Sequence, residues 1–235
     1  MQRQMPISIH LSRKKGEYGG MARLILPRAR LSFSKYLFIA GSDFEKQEPR
    51  FSCQLLIPKG GEDEKKVKEA IMATAAEKWK EKAGGILAGI EKQNKTFVHD
   101  GDDKAAKYEG YDGCVYLTVS RPSKKMPKTV VVDGVSTVIQ MEMNAPRIVD
   151  KEKGADGKFV ELTPDKGKPY AGCYVRAIID LWAQDNTWGK RINATLVGVQ
   201  FVDDGDAFSA TTTASDEEFA DLADTGEKSE FDGFC

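Results

Sequence analysis

The sequence predicts an all-β protein with one main helix, its strands followed by a disordered acidic C-terminal tail. Three observations predict it. Runs in which apolar and polar residues alternate recur between residues 28 and 202, which is the period of half-buried strands. One stretch alone, 62–82, repeats its apolar residues at clear helical spacing. From residue 203 onward the periodicity stops and acidic and small residues take over. Such a segment cannot bury enough surface to offset its ordering entropy.

Taken in order, residues 1–20 are polar and basic with no clear period and read as a flexible arm. Residues 28–40 alternate Leu31, Phe33, Lys35, Leu37 and Ile39 with Arg30, Ser32, Ser34, Tyr36 and Phe38, predicting the first strand. Residues 49–57 predict a second, with Phe51, Cys53, Leu55 and Ile57 on one face. In the helix 62–82, Glu62, Asp63 and Glu64 occupy the first turn, where carboxylates complement the helix dipole. Gly84-Gly85 is expected to end it, with a shorter helical piece over 86–92. A turn-rich stretch, 93–112, leads into a strand at 113–120 and a basic loop at 121–128. Short β runs follow at 129–132, 135–141 and 145–149, and 150–168 reads as a flexible insert. Residues 169–184 form the clearest strand, with Cys173, Val175, Ala177, Ile179 and Leu181 on one continuous apolar face. A turn at 185–189 and a last strand at 190–202 complete the set, with Gly198 a bulge or bend. Five or more mostly antiparallel strands, with the helix between barrel strands two and three, is the element order of an OB-fold-like β-barrel with insertions. The domain division that follows is a basic arm (1–20), a barrel (21–202) and a tail (203–235).

The net charge of −1 conceals a division. Residues 203–235 hold eleven acids and one base, a balance of −10. The other 202 residues keep 34 of the 35 bases and 25 of the 36 acids, a balance of +9. A basic body on an acidic tail is the asymmetry of a protein that meets a polyanion. Cys53, Cys114, Cys173 and Cys235 include no CxxC pair. The first three fall in β-like runs, as buried free thiols of a reducing compartment do. The N-terminus lacks a continuous apolar segment, and no stretch approaches the length of a membrane span, so a cytoplasmic location without membrane attachment is expected.

No phosphate-loop, nucleophile-elbow, zinc-protease or dinucleotide motif occurs, and no nucleophile–base pair is nameable, so the chain reads as non-catalytic and without a cofactor. His99 with Asp100, Asp102 and Asp103 has donors a metal would accept, but a solvated acidic turn is the simpler reading. Binding of single-stranded nucleic acid needs aromatic rings for the bases and Arg or Lys for the phosphates, interleaved on one exposed face. The strand at 169–184 offers Tyr174, Arg176 and Trp182 opposite its apolar face. The strand at 28–40 offers Arg30, Tyr36 and Phe38. The basic loop adds Arg121, Lys124, Lys125 and Lys128, and the last turn adds Trp188, Lys190 and Arg191. Any one of these rings has a competing role as core or interface; as a set they favour stacking.

The run YAGCYVRAIIDLWAQDNTWGKRINATLVGVQFVDDGDAF at 170–208 resembles the OB-fold single-stranded-DNA-binding proteins of tailed phages. Its most specific part is the GCY-x-RA strand, the polar turn, GK-x-I, a glycine-containing strand and DDG. RLSFSKYLF, PRFSCQLLIPK, the helix ending near Trp79 and HDGDDK…YEGYDG support it. The resemblance implies sequence-independent binding of single strands and a role in phage DNA replication, recombination or repair, in the host cytoplasm. It implies replication or recombination partners recruited by an acid–aromatic tail, here Glu230-Phe231-Asp232-Gly233-Phe234-Cys235, in which Phe231, Asp232 and Phe234 would be read. The last residue is Cys, where tails of this kind end in an aromatic residue. The alternatives are a strand-annealing or RNA-binding protein on the same barrel, or a metal-dependent nuclease using the acidic turn.

Overall fold

A computed structural model describes residues 10–12, 21–132, 135–142 and 144–208. Its strands are β1 (His10–Ser12), β2 (Met21–Ser32), β3 (Arg50–Pro58), β4 (Val98–Asp100), β5 (Cys114–Pro122), β6 (Lys125–Val132), β7 (Val135–Glu142), β8 (Arg147–Lys153), β9 (Phe159–Glu161), β10 (Tyr174–Asn186) and β11 (Gly189–Asp203). The helices are α1 (Glu62–Trp79), α2 (Ala83–Lys92) and the single turn α3 (Asp102–Ala105). The pairing β5-β3-β2-β10-β11 returns to β5 through a parallel contact between Thr195 and Ser120. That closes a five-stranded barrel in the OB order, with α1 and α2 between its second and third strands. Past Gly198 the free edge of β11 leaves β5 and pairs in parallel with β8, so the barrel is partly open. The expected OB-type barrel with one main helical region is the observed fold.

Alternation put the right residues inside. Cys173, Val175, Ala177, Ile179 and Leu181 of the β10 region are fully buried, and so are Leu55 and Ile57 of β3 and Leu117 and Val119 of β5. Burying such a side chain is worth about 1.5–3 kcal/mol relative to exposure. Val67, Ala70, Ala75 and Trp79 of α1, with Leu87 and Ile90 of α2, join the same core. Gly198 does sit at a register shift, facing Ile178 while Leu196 faces Ile179.

Several boundaries differ from the sequence reading. The first strand begins at Met21 and stops at Ser32, not at residue 40. Leu26 faces Ala177 while Ala29 faces Val175, so Pro27 and Arg28 together oppose one residue. This bulge reverses the parity of the strand there, and the alternation read from residue 28 is its second half only. Phe33 then takes a left-handed conformation, φ 49, and Tyr36 and Phe38 leave the sheet. The helix breaks at Lys80, φ 54, and not at Gly84-Gly85, which lie inside α2. The loop expected at 121–128 is the end of β5 and the start of the β6–β7 hairpin. The stretch 150–168 carries the end of β8 and β9. Within the arm, His10–Ser12 pair with β2. Residues 203–208, assigned by composition to the tail, end β11 and continue against the barrel. The remainder of the tail lies outside the described residues, as does the rest of the arm.

Beyond the shared core, a side-chain hydrogen bond ties the β10–β11 hairpin to the helical layer. Trp79 Nε1 donates to Asp185 Oδ2 at 2.8 Å, and Lys190 Nζ donates to the same oxygen. Trp79→Phe keeps the ring in the core and removes the donor. It should lower unfolding free energy by about 1–2 kcal/mol in a denaturant titration; an unchanged midpoint would mean the contact does not hold the hairpin.

Candidate nucleic-acid interface

Strands β3 and β5 turn their even-numbered residues outward. In register these are Arg50 opposite Pro122, Ser52 opposite Ser120, Gln54 opposite Thr118 and Leu56 opposite Tyr116. β4 adds His99 beside Tyr116, and their rings stack at 4.9 Å with planes 28° apart. Tyr111, fully buried, meets Tyr116 edge-on at 5.5 Å. Tyr111 also lies 5.9 Å from Tyr108, which is 5.0 Å from the exposed ring of Phe33. Four aromatic rings and one imidazole are thus continuous: Phe33, Tyr108, Tyr111, Tyr116 and His99 form one ladder across the barrel wall.

Lys104 of α3 reaches into this ladder. Its Nζ is 4.3 Å from the Tyr116 centroid, 5.3 Å from Phe33, 5.7 Å from Tyr111 and 5.8 Å from Tyr108. Its hydrogen-bond acceptor is Gln54 Oε1 at 3.4 Å; it makes no ion pair among the described residues. Burial lowers its pKa from the ordinary lysine value. Burial, and then the nearby Lys104 charge, lower that of His99. The Tyr111 hydroxyl donates to Gln54 Oε1 at 2.6 Å and shares a hydrogen bond of 3.1 Å with the Ser32 hydroxyl, and burial pushes its phenol up to about 12.

At the other end the ladder opens into a groove of about 420 Å³ along the β5–β11 seam, lined by His99, Ser120, Arg50, Trp182, Arg191 and Thr195 among others. Trp182 Nε1 donates to Thr195 Oγ1 at 3.1 Å, which holds the indole against the seam. Arg50 Nε donates to Ser120 Oγ at 3.0 Å. At the Phe33 end a second groove, of about 550 Å³, is lined by Phe33, Lys35, Lys107, Tyr108 and Phe208. The face between the β2–β3 loop and the β10–β11 turn is where OB folds take oligonucleotides.

Of the residues expected to make contacts, Trp182 and Arg191 line this face. Trp188 is at the tip of the β10–β11 turn, 81% exposed, and Lys190 is beside it, tied to Asp185. Tyr174 and Arg176 do not share Trp182's surroundings, although all three alternate on one side of β10. Tyr174 lies beneath the Arg28 guanidinium, 3.8 Å from its centroid. Arg176 borders an apolar hollow with Ile25, Val149 and Ile178. A strand of 13 residues that twists around a barrel points one side in different directions along its length. Arg30 is held by Gly172 O at 3.0 Å and Asp206 O at 2.9 Å. Tyr36 donates to Asp43, and Phe38 packs against the core. Arg121 faces the opposite side of β5 from Ser120. Lys124 and Lys125 are exposed at the base of the β6–β7 hairpin. Phe231, Asp232 and Phe234 lie outside the described residues, and so does the side chain of Lys128.

The sequence reading passed over Phe33, Tyr108, Tyr116, His99, Lys104 and Arg50. Tyr116 stood on the polar side of its strand, and K-x-x-K-Y-x-x-Y at 104–111 is an interleaved basic–aromatic run; both were signals available for the face. The acidic turn has a different use. Lys59 Nζ lies 2.5 Å from both Asp100 and Asp102, so an ammonium sits between the carboxylates that a metal would need. Among the described residues no three His, Cys, Asp or Glu side chains are placed to hold a metal ion. Among them, too, no helix is long and apolar enough to cross a membrane.

A family model described as the single-stranded-DNA-binding protein of Enterobacter phage Enc34 matches residues 22–231, and the chain belongs to that family. It is 34% identical over 177 residues to a putative protein p50 of Acyrthosiphon pisum secondary endosymbiont phage 1, covering 74% of this chain and 80% of that protein. The single-stranded-DNA-binding protein of bacteriophage Enc34, solved in complex with ssDNA, shares the fold with a TM-score of 0.56 at 20% identity, over 86% of this chain and 98% of that one. A C-terminal truncation of the same phage protein gives 0.53 at 21% identity, over 85% and 98%.

Lys59 holds the Asp100 and Asp102 carboxyls below their ordinary range. Carboxylates depressed in the folded state contribute stability above their unfolded pKa and lose it as pH falls. Lys59→Met should therefore lower Tm at pH 7, and the gap from wild type should narrow as pH falls below about 4 and the carboxyls take up protons. A gap that ignores pH would show that Lys59 acts by packing alone.

Proposed function

We propose that the chain binds single-stranded DNA without sequence preference, coating exposed strands during phage DNA replication, recombination or repair. The single observation that supports this best is the ladder from Phe33 to His99, continued by Trp182 and interleaved with Lys104, Arg50 and Arg191. Bases present π-faces to such rings whatever their sequence, and the cations neutralise phosphates. The stacking positions are Phe33, Tyr108, Tyr116, His99 and Trp182; Tyr111, buried and hydrogen-bonded, positions its neighbours. Trp188 and Arg191 extend the path at the hairpin, and Lys124 and Lys125 add charge near its edge. The barrel binds, and no step of chemistry is required of it.

The acidic tail is the second working part. Beyond Phe208 the sequence adds eight acids and one base. Tethered as part of the same chain, it has an effective concentration on the order of millimolar at the basic face. It competes there with DNA and, once displaced, offers Phe231, Asp232 and Phe234 to replication or recombination proteins.

Oligo-dT should bind more tightly than duplex of equal length in a mobility shift, with log affinity falling linearly against log salt as counterions are released. Equal affinity for both, or a flat salt response, contradicts the reading. Tyr116→Ala and Trp182→Ala should each cost about 1–3 kcal/mol of binding, with Tyr174→Ala costing less; the reverse order would move the path to the Tyr174 end of β10. A chain ending at Phe208 should bind more tightly than full length at low salt, and the difference should vanish as salt screens the tail. Unchanged affinity at low salt would remove the tail from the groove.

A further inference from the structure

The six residues after Val202 are strapped across the barrel edge. Asp204 accepts from Tyr170 at 2.9 Å and from Lys168 at 3.3 Å. Asp206 O accepts from Arg30, and Phe208 N–H donates to Ala171 O at 3.0 Å. The strap needs room that only glycine leaves. Gly172 has φ +105, and a Cβ there would stand 2.1 Å from Asp206 O. At Gly110, φ +79, a Cβ would stand 2.5 Å from the Phe208 ring. The strap ends by laying that ring on the Arg30 guanidinium, 4.4 Å from its centroid, at the margin of the groove lined by Phe33, Tyr108, Lys35 and Lys107.

A planar ring stacked on an arginine, beside exposed rings and lysines, is what a nucleobase would make of the same place. We propose that Arg30 and Gly110 form a nucleobase subsite at the Phe33 end of the groove, filled in the free protein by Phe208. Single-stranded DNA entering the subsite displaces Phe208. Because Phe208 is the last residue of the strap before the acidic tail, its displacement frees the root of the tail from the barrel. The inference rests on the DNA-binding reading above and adds to it a subsite and a mechanical link between binding and tail release. It also gives Arg30 a ligand: the guanidinium is held by Gly172 O and Asp206 O, and its face is covered by a group that can leave.

Hydrogen exchange on the full chain tests it, with and without saturating oligo-dT. The Phe208 amide, bonded to Ala171 O, should lose protection when oligo-dT binds, while the Leu31 amide, bonded to Cys173 O at 2.9 Å on the barrel edge, keeps its own. Oligo-dT binding with Phe208 protection unchanged or increased overturns the latch and leaves the DNA-binding reading intact; absence of oligo-dT binding removes both. As a second arm, Phe208→Ala should raise oligo-dT affinity by a factor of about 2 to 30, the range that a cation–π contact spans. A Phe208→Ala protein that keeps its melting temperature and binds oligo-dT more weakly would make Phe208 a contact for DNA and overturn the proposal.

Discussion

The two longest strands, β10 and β11, pair along their whole length, and each then has one edge left over with unpaired backbone donors and acceptors. An unpaired edge in a core is costly, and a sheet with two of them must either cover or join them. Here β2 takes the edge of β10, while the edge of β11 is shared, β5 meeting it at Thr195 and β8 pairing with it from Gly198 to Gln200. That sharing closes the barrel. It also puts Thr195 opposite Ser120, and with them Trp182 and Arg191 beside Arg50. Without the seam, the ladder on β4 and β5 and the indole on β10 would belong to different surfaces.

The apolar interior and the aromatic exterior are two consequences of one alternation. Val115, Leu117 and Val119 fill the barrel, and Tyr116, Thr118 and Ser120 face out between them. A one-residue slip in β5 would exchange the two sets, so the hydrophobic effect that fixes register also fixes which side chains the candidate face presents. What it cannot fix is the position of Lys104, which comes from a single helical turn. That turn is braced on one side by the Lys59–Asp100–Asp102 cluster and on the other by the Tyr111 hydroxyl bonded to Gln54 and Ser32. The acids of this region thus support the cation of the face.

Where a strand was regular, its interior was legible in the sequence, as at Cys173 to Leu181 and Phe51 to Ile57. Where a bulge changed parity, as at Pro27, the strand was misplaced and Tyr36 and Phe38 were carried onto a face they do not occupy. The site was legible in kind, in basic residues and rings on a β-barrel, and only partly in place. Trp182 and Arg191, expected as contacts, do line the candidate face, because they lie near the turn of the dominant hairpin. Phe33, Tyr108 and Lys104 were not expected, because they come from loops whose meeting point is set by barrel closure and not by local period. Arg30 and Tyr174 have the composition of contact residues, yet the strap at 203–208 and Arg28 cover them, a pairing across about 170 residues that no local pattern reveals.

On the proposed path a single strand follows the outer wall of β3 and β5 from Phe33 to Trp182. Photocross-linking with oligo-dT in which thymines are replaced by 5-iododeoxyuridine, followed by mass-spectrometric mapping, tests it most directly, since the adduct forms only where a base lies against a side chain. Adducts are expected at Phe33, Tyr108, Tyr116 and Trp182. Adducts confined to Tyr174 and the hollow around Arg176, with the β5 wall unlabelled, would contradict that path.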